Sequence, residues 1–329
     1  MEFVERVILY FTQQCNARCS FCITNSSPQT KATLPTDVIK RCLKEAKEAG
    51  ITRVGLTGGE PTLDRYRLFE IMEAGQELGL TFYMTSNAFW AKRYDKAVEM
   101  VKELKKRGLN RLNLSADRFH LPYISNQCNV NAARACEEVG DIPVYIQVAT
   151  TRMDADGTVD QILNDFKGLK AHVSVYFPQP MGRGECMPKE LFFTSRLDKA
   201  LNRKCDQVDA PVVHPDGQVV TCCSIPSSYN YPEYNSSNCR YVYGNVFEES
   251  LADIVRRIDR DPLIRLLAEQ GPGALVKKFG REFEAEGYKL GSRYYSHCHL
   301  CTELLLNPKL VQIIDSRLGN KQAAANSGD

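Results

Sequence analysis

The chain of 329 residues carries 13 cysteines, and their spacing is the first sign of chemistry. Cys15, Cys19 and Cys22 stand as C-x3-C-x2-C. Three thiolates on one short loop suit a soft metal or an iron–sulfur cubane, and three ligands to a four-iron cluster leave one iron open to an exogenous ligand. A structural zinc takes four protein ligands, and only three are local. Cys205 precedes the adjacent pair Cys222-Cys223, and Cys298 and Cys301 form a last C-x2-C. Cys42, Cys128 and Cys136 read as small apolar side chains on helices, and Cys186 and Cys239 as structural. The odd count offers no simple disulfide framework. With no cleavable signal in MEFVERVILY, it fits a reducing compartment, so the expected location is the cytoplasm.

The elements that must position these thiols alternate. Strands are expected at Arg6–Thr12, Arg53–Leu56, Thr81–Thr85, Arg111–Leu114, Val144–Ala149 and His172–Phe177. Helical periodicity falls between them, over Thr36–Ala49 and about 65–78, 93–107, 128–139 and 158–167. Six such alternations imply a parallel sheet with right-handed crossovers. The expected fold is α/β, a partial (β/α)6 TIM-like barrel followed by a smaller C-terminal α+β iron–sulfur module. The expected domains are 1–185, 186–310 and a tail, 311–329. In the second, PVVHPDGQVVT at 211–221 reads as a hairpin, 224–243 as a polar loop, 249–259 and 262–270 as helices, and the approach to Cys298 as turn-rich. A formal net charge of +2 demands no nucleic-acid or anionic-membrane partner, and no apolar run reaches the roughly 18–20 residues of a membrane span.

The triplet directly after the first strand, with Phe21 before its third cysteine, resembles the radical S-adenosylmethionine (SAM) superfamily. That resemblance implies a [4Fe–4S] cluster whose open iron binds SAM, and reductive cleavage of SAM to a 5′-deoxyadenosyl radical that abstracts hydrogen. Gly58-Gly59-Glu60 after the second strand matches the family's GGE motif, which hydrogen-bonds the SAM amino group. Glycines allow close approach of backbone to ligand, and the glutamate offers an acceptor to an ammonium. Ser86 and Asn87, Ser115 and Asp117, and Arg183 lie at strand ends where the family places ribose and carboxylate contacts.

Farther on, Cys205, Gly217 and Cys222 follow C-x11-G-x4-C, and Gly244-Asn245-Val246-Phe247-Glu248-Glu249-Ser250-Leu251 is similar to a stretch of SPASM domains, the auxiliary-cluster modules of many peptide-modifying members. The full module carries seven cysteines and two clusters. This chain has fewer, which implies a truncated, twitch-like version with one auxiliary [4Fe–4S] cluster on Cys205, Cys222, Cys298 and Cys301. Four cysteines could equally hold a structural zinc.

Cys223 is then left over. The Cys-Cys pair, Ser86-Asn-Ala-Phe-Trp90 and Ser115-Ala-Asp-Arg-Phe-His120 look like the radical SAM epimerases of ribosomally made peptides. This implies that Hα leaves one face of a residue while Cys223 returns hydrogen to the other, giving a D-residue. Asp209 is a candidate to anchor substrate or assist the thiol; His120 and His214 read as ordinary solvated residues. The expected partners are a precursor peptide and an external electron donor such as flavodoxin or ferredoxin. Thioether or carbon–carbon cross-linking, or sugar or small-molecule chemistry on the same cofactor, is the alternative reading. A metal-stabilised binding scaffold is the remote one. About eight iron per chain separates two cubanes from zinc.

Overall fold

The computed structural model describes residues 4–223 and 239–318. Its first half is the expected alternation. Strand β1 (Arg6–Thr12) leads through the cysteine loop to α1 (Thr36–Glu48). The series β2 (Arg53–Gly58), α2 (Arg65–Glu77), β3 (Thr81–Ser86), α3 (Tyr94–Lys106) and β4 (Leu109–Ser115) follows. It continues through α4 (Asn126–Val139), β5 (Val144–Ala149) and α5 (Thr158–Asn164) to β6 (Ala171–Tyr176). Asp64 and Ser125 cap α2 and α4 through side-chain oxygens, where unpaired helix N–H groups need acceptors. All six strands pair in parallel in chain order.

Alternation along these strands separates two faces. Val7, Leu9, Phe11, Val54, Leu56, Phe82, Met84, Leu112, Leu114, Ile146 and Val148 are buried beneath the helices. The register puts Ile8, Tyr10, Tyr83, Arg111, Asn113, Tyr145, Gln147, His172 and Ser174 on the opposite, concave face. That face is aromatic and polar: Arg111 lies over the Tyr145 ring at 3.9 Å, which stacks on His172 at 4.8 Å, and Asn113 donates to Thr85 Oγ1 at 3.2 Å.

The C-terminal half extends the same sheet. After β7 (Ser195–Arg196) and α6 (Leu197–Leu201), the hairpin β8 (Val212–Val213) and β9 (Gln218–Val220) joins β1. Strand β10 (Val242–Asn245) follows, giving the order β10-β9-β8-β1-β2-β3-β4-β5-β6. Asn245 fixes the hairpin turn by donating to Asp216 O at 3.1 Å, and Ser250 caps the next helix by accepting from Ala252 N at 3.1 Å. The Gly-Asn…Glu-Ser-Leu stretch thus has a local structural task. Helices α7 (Leu251–Arg260) and α8 (Pro262–Gln270) match the expectation, and α7 docks on α1, where Glu45 accepts from Leu251 N at 2.7 Å.

Beyond residue 270 the structure corrects the sequence reading. Residues expected to be turn-rich form α9 (Gly273–Ala285), β11 (Arg293–Tyr294), which pairs with β7, and α10 (His297–Leu305), which carries Cys298 and Cys301. Part of the expected tail is α11 (Pro308–Leu318), with Leu310 and Ile314 buried. Pro272 and the glycines at 273 and 280 hide α9 in the sequence, because tertiary packing of Leu275, Phe279 and Phe283 outweighs their weak propensity. The expected polar loop falls mostly in 224–238, outside the described residues. Among the described residues, no helix is long and apolar enough to cross a membrane.

Candidate functional site

The cysteine loop is built by backbone pairing before any ligand is considered. Gly59 N donates to Thr12 O at 2.7 Å, and Glu60 N to Gln14 O at 2.9 Å, so the GGE segment runs alongside the chain entering Cys15. A Cβ on Gly58 would sit 2.1 Å from Thr12 O, and one on Gly59 2.0 Å from Gln14 O. The glycines therefore serve close approach between two protein segments.

Glu60 is buried, with only 1% exposure. Its Oε1 accepts from Thr62 N (3.1 Å), Thr62 Oγ1 (2.6 Å) and Ser86 Oγ (2.9 Å), and its Oε2 from Asn87 N (2.8 Å). Burial pushes its carboxyl up, against the pull of these donors. The expected ammonium acceptor is thus first a knot between the β2 and β3 loops. Ser86 also accepts from Ala88 N and from Trp90 Nε1, each at 3.0 Å. Asn87 Nδ2 donates to Asn16 Oδ1 at 2.9 Å and lies 3.9 Å from Cys15 Sγ.

Asp117 and Arg183, expected at ligand contacts, are likewise tied to protein. Asp117 Oδ1 accepts from Phe119 N (3.0 Å), His120 N (3.2 Å) and His120 Nδ1 (2.8 Å). Its Oδ2 accepts from Ala149 N at 3.4 Å. Arg183 donates to Cys19 O (2.7 Å) and Ser26 O (2.8 Å), clamping the cysteine loop. Ser115 ends β4 half-buried on the concave face. His120 is not the solvated residue expected: burial opposes its charge, yet Asp117 and Cys19 hold its imidazole well above the ordinary range.

The thiols form two groups. Cys15, Cys19 and Cys22 share the first loop, where burial, reinforced by Glu60 and the two other thiols, pushes Cys15 up to about 12. Cys205, Cys298 and Cys301 come together in the second, where burial pushes Cys298 up to about 12 and raises Cys205 and Cys301. Tyr241 donates to Cys301 Sγ at 3.3 Å, and Cys222 raises this same phenol. Thiols raised in this way stay protonated on their own and ligate as thiolates only when a cationic partner such as a cluster binds. Among the described residues, no three His, Cys, Asp or Glu side chains converge at single-ion spacing. The donors of both groups are cysteine sulfurs, the ligand type of iron–sulfur clusters. None of the 13 cysteines is in a disulfide; Cys42, Cys128, Cys136 and Cys239 are buried and Cys186 is exposed.

Packing separates the adjacent pair. Cys222, like Cys205 and Cys301, packs against the main core, whereas Cys223 packs on the concave face with Ile8, Tyr10, Ala210, Val212 and Val220. Cys223 still lies close enough to raise the Cys205 and Cys298 thiols. Buried Tyr10 is raised by burial and then by Cys223, Cys222 and Cys22, so its phenol stands between the two cysteine groups. Asp209 accepts from Arg6 Nη2 at 2.9 Å, and Arg6 also bonds Tyr83. Arg6, Tyr10, Tyr241 and the burial of His214 escaped the sequence reading. The even-numbered residues of β1 held the available signal, since three of them, Arg6, Tyr10 and Thr12, are polar within RVILYFT.

Residues 9–120 match the Radical SAM superfamily and residues 205–269 the SPASM iron–sulfur cluster-binding domain. These regions are a Radical SAM domain and a SPASM-type domain, and the cofactors they bring are SAM, the radical SAM [4Fe–4S] cluster and an auxiliary cluster. Among its relatives, YydG of Bacillus subtilis (strain 168), named for peptide biosynthesis, is 24% identical over 304 residues, spanning 91% of each chain. A protein of Sulfolobus acidocaldarius named as a GTP 3′,8-cyclase is 28% identical over 63% of this chain and 66% of its own. The fold is similar to that of anSMEcpe with bound AdoMet and the Cp18Cys peptide, at TM-score 0.54 and 13% identity, over 96% of this chain and 97% of that one. BtrN in complex with AdoMet and 2-DOIA follows at TM-score 0.50 and 14% identity, over 82% and 89%.

Proposed function

We propose that this radical SAM enzyme epimerises a residue of a ribosomally made peptide. The observation that carries the reading is the placement of Cys223 on the concave face beside Tyr10, while its neighbour Cys222 packs against the main core. When bound, the first cluster and SAM supply a 5′-deoxyadenosyl radical. In this reading Cys15, Cys19 and Cys22 hold that cluster, and Cys205, Cys222, Cys298 and Cys301 the auxiliary one. Gly58, Gly59, Glu60, Ser86, Asn87, Ser115, Asp117 and Arg183 form and brace the SAM side. The domains divide as 1–185, 186–310 and 311–329, though the shared sheet joins the first two.

The chain's own residues then deliver hydrogen. Loss of Hα leaves a planar carbon radical, and the Cys223 S–H bond breaks as a new Cα–H bond forms on the opposite face. One electron and one proton restore the thiol, the electron coming ultimately from a flavodoxin- or ferredoxin-type donor. Asp209, paired with Arg6, braces the concave face near Cys223. A reducing cytoplasm suits thirteen cysteines with no disulfide among them. The peptide-biosynthesis name of the Bacillus subtilis relative supports a peptide substrate.

Reaction with candidate peptides in heavy water tests the reading by mass spectrometry. Expected is a product carrying one deuterium at Cα with otherwise conserved mass, and no D-residue from Cys223→Ala. Product without label, or a net mass loss of two hydrogens as in cross-linking, would overturn it.

A further inference from the structure

His214 and Gln218 stand directly across the β8–β9 hairpin. His214 N donates to Gln218 O at 2.9 Å, and the register Val212↔Val220, Val213↔Val219 extends to them. Both share the face of Val212 and Val220, which pack with Ile8, Tyr10 and Cys223. The His214 ring meets the Tyr10 ring edge-on at 4.9 Å. Cross-strand neighbours of this kind hold their Cβ atoms about 5.5 Å apart, close enough to share one ligand.

Both side chains are buried, at 3% and 8% exposure, yet both His214 ring nitrogens and Gln218 Oε1 lack a hydrogen-bond partner. Each such atom costs about 1–3 kcal/mol, and native structures retain few of them without a reason. Burial pushes His214 down to about 4, so the imidazole is neutral, with one ring nitrogen a donor and the other an acceptor. The unmet set is therefore one donor and two acceptors, all uncharged. A phosphate or carboxylate would find too few donors here, and the nearby Asp216 carboxylate is engaged by Gln218 N at 3.1 Å. A peptide backbone matches it: one C=O for the imidazole N–H, and N–H groups for the other ring nitrogen and for Gln218 Oε1.

We infer that His214 and Gln218 form a backbone-amide subsite on the concave face, which holds an extended peptide segment beside Cys223. This inference rests on the peptide reading above and adds its point of attachment.

The test uses the cluster-loaded full chain and two small probes, N-acetyl-L-alanine N-methylamide and the corresponding methyl ester, which lacks one N–H. Binding is read by saturation-transfer NMR. One hydrogen bond lost corresponds to about a tenfold preference for the amide. Expected is that preference in the wild type and its fall toward unity in His214→Phe and in Gln218→Leu. Should His214→Phe fail to fold, Gln218→Leu carries the same comparison. Equal binding of amide and ester, absence of amide binding, or an undiminished preference in both variants would overturn the subsite. Amide preference in a protein that places no deuterium in any peptide would instead overturn the epimerase reading and leave the subsite standing.

Discussion

Gly59→Ala separates a glycine that serves protein packing from one that serves a ligand. The new Cβ would lie 2.0 Å from Gln14 O, 2.5 Å from Gln14 C and 2.8 Å from Gln13 C, all backbone atoms that cannot swing aside. Relief requires parting the Gly59–Thr12 and Glu60–Gln14 hydrogen bonds, at 2.7 and 2.9 Å. Two such bonds contribute about 0.5–1.5 kcal/mol each, and overpacking costs a further 1–3 kcal/mol or so. The sum is roughly 2–6 kcal/mol. At roughly 2 °C per kcal/mol for a chain of this size, the apparent Tm should fall by about 4–12 °C. Because the displaced segment enters Cys15, iron content should fall by about four per chain, as one cubane is lost. Gly280→Ala is the matched control: its Cβ meets only Val276 Cγ1, at 3.9 Å, within α9, and should raise stability by about 0.4–1 kcal/mol. Gly59→Ala with unchanged Tm and full iron would refute the packing argument.

Two further outcomes follow from buried charge. Arg240 holds Asp315 at 2.9 Å and also pairs with Asp261, all three nearly inaccessible, so Arg240→Met should cost about 3–5 kcal/mol by stranding two carboxylates. Chemical denaturation checks this, and adding Asp261→Asn and Asp315→Asn should recover part of the loss. His214 is held near 4, below its ordinary 6.5, so between those values the unfolded chain binds a proton that the folded chain excludes. Stability should therefore fall as pH drops from about 6.5 to 4, by roughly 3 kcal/mol, and His214→Gln should remove that part of the slope. Coincident wild-type and variant pH profiles would contradict the burial argument.

The cysteine spacing, the six β-α alternations and the GGE segment could be read before any coordinates, because each is a local pattern. Three thiols within one loop need no distant partner to be recognised, and a β-branched run followed by a helical period states its own class. Local pattern did not show what protein contacts these residues make. Glu60 reads as a ligand acceptor, and the fold also engages it with Thr62, Ser86 and Asn87. Arg183 reads as a strand-end contact, and it also clamps the carbonyls of Cys19 and Ser26 from more than 150 residues away.

What the sequence determined by itself is therefore the class of chemistry and the barrel that carries it. Tertiary structure alone decided which side of the sheet each thiol faces. Cys222 and Cys223 are indistinguishable as adjacent letters, and only the pairing of β8 and β9 onto β1 turns one toward the core and the other toward the concave face. The same pairing buries His214, which the sequence presented as a polar turn residue, against Tyr10 from a strand some 200 residues earlier. The physical reason is common to both: strand register is a non-local choice, and it fixes burial, neighbours and charge state together.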